Sequence, residues 1–143
     1  MAYPTPLGKT IVSTTVPAPV LSVIYAKDIL KVASFYQRTL SLPVLEEESN
    51  YVVIGNAAHE IAIVRMANSI AAKTRISAPP ELREGTPIKC SFWVENLGQV
   101  KAEAEAAGGA TRPLASAWHW RGQLHLDGSD PEGNIVQFRT RAS

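Results

Sequence analysis

The chain repeats itself. Sliding the 143-residue sequence over itself by 68 positions brings Leu21-Ser22-Val23-Ile24-Tyr25-Ala26-Lys27-Asp28-Ile29 onto Lys89-Cys90-Ser91-Phe92-Trp93-Val94-Glu95-Asn96-Leu97. Aromatic, apolar and helix-capping positions fall in step, so the fold is built from two copies of one unit. In the first copy, residues 20–27 are apolar and β-branched, the pattern of a strand. Asp28 is placed to cap a helix whose Ile29, Val32, Ala33, Tyr36 and Leu40 recur on one face, and Pro43 ends it. Residues 44–48, 51–54 and 60–65 then read as three short strands, with Gly55-Asn56 turning between the last two.

The second copy follows the same plan. Residues 88–95 repeat the strand and Asn96 repeats the cap. Leu97, Val100, Ala104 and Ala107 make a helical face that stops at Gly108-Gly109, as a left-handed C-cap would. Strands are expected at 112–117, 123–127 and 135–140. Before the last, Asp130-Pro131-Glu132-Gly133 has proline and glycine where a type I turn favours them. The fold class is therefore α+β, with two β-α-β-β-β modules at residues 20–66 and 87–143 in one structural domain. Residues 67–86, with Pro79, Pro80 and Gly85, form the linker. Residues 1–19, broken by Pro4, Pro6, Pro17 and Pro19, form an extended arm. Each helix can cover one face of its own sheet; the uncovered faces of two curved mixed sheets are expected to pair around a cup that holds a small molecule.

Composition narrows the function. Fourteen Lys and Arg against 13 Asp and Glu give a net charge of +1 with no basic cluster, which sets nucleic-acid binding aside. Apolar runs stay far below the ~20 residues of a membrane helix, and the start of the chain lacks an apolar signal core, so a cytoplasmic protein is expected. Cys90 is the only cysteine, which excludes an intrachain disulfide or a thiolate cluster and suits a small core residue. Strand alternation turns Leu21, Val23 and Tyr25, then Lys89, Ser91 and Trp93, then Glu60, Ala62 and Val64, and finally Gln137, away from the helices.

The duplicated plan, the phrase VIYAKDILKVASFYQRTLSLPV and the closing DPEGNIVQF resemble the vicinal oxygen chelate superfamily over residues 20–141. That group includes glyoxalase I, extradiol dioxygenases, fosfomycin-resistance enzymes, methylmalonyl-CoA epimerase and bleomycin-binding resistance proteins. The resemblance implies a homodimer and places the superfamily's metal-ligand positions at Leu21, Glu60, Lys89 and Gln137. Of these only Glu60 and Gln137 offer metal donors, so no metal and no other cofactor are expected. It also sets Trp118-His119-Trp120 on the rim of the cup, where the two indoles either stack on a ligand or cover a dimer seam.

The leading expectation is a glyoxalase/bleomycin-resistance-like protein that binds a small aromatic or amphipathic molecule without metal, through Tyr25, Glu60, Lys89, Trp93, Trp118, Trp120 and Gln137. Tyr25 and Trp93 serve equally as packing or as stacking walls. Glu60 and Lys89 are candidates for an ion pair closing the vacated metal site. The alternative is a lyase, isomerase or dioxygenase-type enzyme using Glu60 as its catalytic residue, with or without a divalent metal. A third reading is a dimerisation module whose cup is filled by its own side chains.

Overall fold

Asp28 and Asn96 start the two long helices by the same device. Asp28 Oδ1 accepts the backbone N–H of Lys31 at 3.1 Å, and Asn96 Oδ1 accepts that of Gln99 at 2.9 Å. Each bond satisfies a donor that a helix start leaves unpaired. The computed structural model describes residues 17–142, so the arm expected over 1–19 lies outside the described residues except at its end. The chain divides into two compact units. One comprises residues up to Gln37 and Ser41–Arg75; the other comprises Arg38–Leu40 and Ile76 onward.

In the first unit the order is β1 (Val20–Ala26), α1 (Ile29–Leu40), β2 (Val44–Glu48), β3 (Tyr51–Gly55), β4 (His59–Arg65) and the short α2 (Asn68–Ala71). The sheet runs β1-β4-β3-β2, with β1 parallel to β4 and the other pairs antiparallel. Its register puts Ile24, Ile61, Ile63, Val52 and Ile54 on one face. Of these, Ile61, Ile63, Val52 and Ile54 are buried, together with Ile29, Val32, Phe35 and Tyr36 of α1. The opposite face carries Leu21, Val23, Tyr25 and Glu60, as alternation requires.

The second unit contains β5 (Ser91–Trp93), α3 (Leu97–Ala106), β6 (Ala110–Thr111), β7 (Trp118–Trp120), β8 (Gln123–Ser129) and β9 (Ile135–Arg141). The sheet order is β5-β9-β8-β6, with β7 also on β8 and β5 parallel to β9. Phe92, Leu126, Val136 and Phe138 occupy one face and are buried, as are Leu97, Val100 and Ala104 of α3, which packs against β6 and β9. Two expectations need correction. The strand expected at 112–117 is absent because Pro113, which has no N–H for a ladder, leads into a 3-10 turn at Leu114–Ser116, and pairing resumes only at β7. The strand expected at 88–95 is regular only over Ser91–Trp93. Single backbone bonds still flank it, from Gln137 N–H to the Cys90 carbonyl and from Val94 N–H to the Arg139 carbonyl, both 2.9 Å.

The turn at Asp130-Pro131-Glu132-Gly133 forms as the sequence suggests. Gly133 N–H donates to the Asp130 carbonyl at 2.9 Å, and Asp130 Oδ1 accepts N–H groups from Glu132 and Asn134. Gly133 has φ of 86°, and a Cβ there would lie 2.0 Å from the Glu81 carbonyl oxygen. Glycine is thus required twice, for the backbone angle and for the close approach of a second chain segment. That segment is held by Arg83 N–H donating to the Gly133 carbonyl at 2.9 Å.

Candidate functional site

Strand register places five of the seven expected ligand residues on the second module, four of them on its open sheet face. Trp93 pairs with Arg139, Arg139 with His125, and His125 with Trp118, so these four form one row across β5, β9, β8 and β7. Ser91, Gln137 and Asp127 form the adjacent row. Trp120 lies across from Gln123, two residues from His125 and on the same face. All three tryptophans of the protein therefore stand on this face, at 40% (Trp93), 40% (Trp118) and 61% (Trp120) exposure.

His125 is the centre of the shelf. Its buried ring stacks on Trp118 at 5.7 Å with an interplanar angle of 21°, and Trp120 closes the other flank at 5.5 Å. Nε2–H donates to the Trp120 carbonyl at 3.0 Å, and Nδ1 lies 3.1 Å from Gln137 Oε1. The Gln137 amide nitrogen reaches Asp127 Oδ1 at 3.4 Å. Asp127 in turn receives both hydrogen bonds of Lys89 Nζ, at 3.0 and 3.1 Å. The buried His125 ring is thus anchored on the Trp120 carbonyl and gives both indoles a packed neighbour.

Lys89 links this shelf to a neighbouring cleft of about 440 Å³. Its ammonium sits 5.7 Å from the Trp118 ring centroid and also lines the cleft, with Asp127, Ser129 and Ile135 on the sheet side and Leu82 and Thr86 opposite. A second ion pair, Arg112 to Glu84 at 2.5 Å, lies along the same wall. Ser91 Oγ is buried without a hydrogen-bond partner among the described residues.

The sequence points to Lys89, Trp93, Trp118, Trp120 and Gln137 but not to His125, Asp127 and Arg139. Knowing that β7 pairs with β8 opposite His125 would have found the first. Lys89 is bonded to Asp127, and Glu60 Oε2 accepts the Ala18 N–H at 3.1 Å. Tyr25 and Glu60 belong to the first module, Tyr25 on the open face of its edge strand and Glu60 opposite Leu21 in the register.

Solved structures of known proteins match along most of the chain. A glyoxalase/bleomycin resistance protein/dioxygenase family enzyme from Burkholderia phytofirmans PsJN aligns at 16% identity and a TM-score of 0.63, over 85% of this chain and 97% of its own. The fold is that of the vicinal oxygen chelate superfamily. The same fold is found in a glyoxalase/bleomycin resistance protein from Albidiferax ferrireducens T118, at 18% identity and a TM-score of 0.60 over 86% and 97% of the two chains. It is found too in TnmS3, an antibiotic binding protein from Streptomyces sp. CB03234, at 13% identity and a TM-score of 0.59 over 91% and 100%. No protein-family model and no curated protein matches the sequence.

At the four positions where the resemblance implies metal ligands, Leu21 and Lys89 offer no ready donor, while Glu60 and Gln137 do. Leu21 has no lone pair, the Lys89 ammonium is bonded to a carboxylate, and Gln137 is engaged by His125 and Asp127. Among the described residues no group of three His, Cys, Asp or Glu is placed to hold a metal ion. Nor is any helix among them long and apolar enough to cross a membrane.

Proposed function

We propose that the protein binds a small planar aromatic molecule, without metal or other cofactor, on the open face of the second module's sheet. One observation carries this reading. The three tryptophans gather on a single exposed sheet face, two of them packed against buried His125, beside a cleft large enough for a small ligand. An indole has few rotatable bonds to freeze when a ring stacks on it, so much of the stacking energy goes into affinity. The likeness in fold to TnmS3, an antibiotic binding protein, lends support. We also propose that the protein acts as a cytoplasmic homodimer. Leu21, Val23 and Tyr25 leave an apolar stripe on the first module's edge strand, at 56%, 49% and 62% exposure, and such an edge favours cover by a second copy.

The test is Trp93→Ala, read by two measurements. A planar aromatic ligand should quench tryptophan fluorescence of the native protein, and the variant should bind it about 1–3 kcal/mol more weakly. Its unfolding free energy should change much less than the ~3–5 kcal/mol of a buried aromatic truncation. A chelator should leave binding unchanged. A large loss of stability, with no ligand found in a broad aromatic screen, would refute the reading.

A further inference from the structure

The charge on the tryptophan face is lopsided. Of the strand residues on that face only Asp127 is acidic, and Lys89 neutralises it. Arg139 and Arg141 of β9 point to the same side, and Arg121 lies at the tip between β7 and β8. None of the three arginines has a carboxylate partner among the described residues. The whole chain carries a net charge of only +1, so this excess is local and not a matter of composition.

The cations are also paired with the rings. Arg139 lies 5.9 Å from the Trp93 centroid, Lys89 5.7 Å from Trp118 and Arg121 5.5 Å from Trp120. Each indole thus has its own positive group. Arg139 is the one set inside the row, half-buried between Trp93 and His125. A half-buried guanidinium without a counter-ion is poorly solvated, and a stacked guanidinium still presents its planar N–H edge to an anion.

We propose that the ligand is an aromatic carboxylate, with its ring stacked on Trp93 and its carboxylate held by two N–H groups of the neighbouring Arg139. The proposal rests on the small-molecule reading above and adds the sign of the ligand's charge. An aromatic cation would meet three unneutralised arginines, and a neutral ring would leave Arg139 unmatched. Lys89 is already committed to Asp127, and Arg121 and Arg141 lie outside the Trp93 row, which leaves Arg139 as the residue that selects.

The experiment compares 2-naphthoate, 2-naphthamide and 2-naphthylmethylammonium by isothermal titration calorimetry against the full chain, then against Arg139→Gln and Arg139→Lys. Naphthoate should bind about tenfold or more tighter than the amide, as one charge-assisted hydrogen-bonded pair provides, and the ammonium should bind weakest. Arg139→Gln should bring naphthoate down to the affinity of the amide, while Arg139→Lys keeps part of the difference. Raising salt from about 50 to 500 mM should weaken naphthoate alone, a test that needs only the native protein. Equal binding of naphthoate and amide, or a preference that survives Arg139→Gln, would overturn the charge assignment and leave aromatic binding standing. No heat from any of the three compounds would overturn both.

Discussion

Phe92 and Trp93 are neighbours in sequence with opposite fates. Phe92 is buried under α3 with Phe138, whereas Trp93 stands on the open face. Period-two alternation made this legible from the sequence, because one apolar residue assigned to the helix side fixes its neighbours. His125 was not legible in the same way. Its importance comes from Trp118 and Trp120 arriving across a strand pair that Pro113 disguises in the sequence. His59 shows a different effect, on stability. Its ring bonds to Ser22 Oγ at 2.8 Å, and burial holds its pKa below the usual histidine value. The unfolded chain therefore takes up this proton first as pH falls. The stability it contributes is present above the ordinary histidine pKa and is lost as pH drops through the lower folded value. Urea unfolding followed from pH 8 to pH 5 should show this loss, and His59→Gln should flatten that part of the profile; an unchanged slope in the variant would assign the effect elsewhere.

The duplicated helices and their caps were evident from spacing alone, since Asp28 and Asn96 each precede an apolar period that only a helix satisfies. Short strands were harder. Residues 88–95 look like one strand, but regular pairing covers only Ser91–Trp93, and the split of β6 from β7 depends on how β8 meets both. The segment after α2 illustrates the same limit, because its anchoring comes from the Gly133 turn and not from its own residues. This leads to an expected outcome for Gly133→Ala. The backbone angle alone costs about 1–3 kcal/mol in a residue with a Cβ, and the collision with the Glu81 carbonyl adds to it. Thermal unfolding should show a clear drop in midpoint. A variant as stable as the parent would mean that the 81–83 segment is not seated on this turn.

Across the whole molecule, the fold was legible because the repeat, the caps and the closing turn agree with one another. The site was legible only in part. Its indoles could be placed by alternation, but its charges could not, since the partner of Lys89 sits 38 residues away on β8. The apolar stripe of Leu21, Val23 and Tyr25 gives a separate expectation: light scattering at micromolar concentration should give twice the 15.5 kDa of one chain, and Val23→Lys should shift the species toward monomer. A native monomer would remove the dimer from the account. The central claim is that ligand sits on the tryptophan face of the second module, and indole ¹H–¹⁵N resonances report on it directly, because the protein has just three tryptophans and all stand there. During titration with 2-naphthoate, the Trp93 indole signal should move along a saturating curve that matches the calorimetric affinity. Indole signals that stay fixed while the compound binds, with shifts confined to first-module amides such as those of Val52 and Ile54, would contradict it.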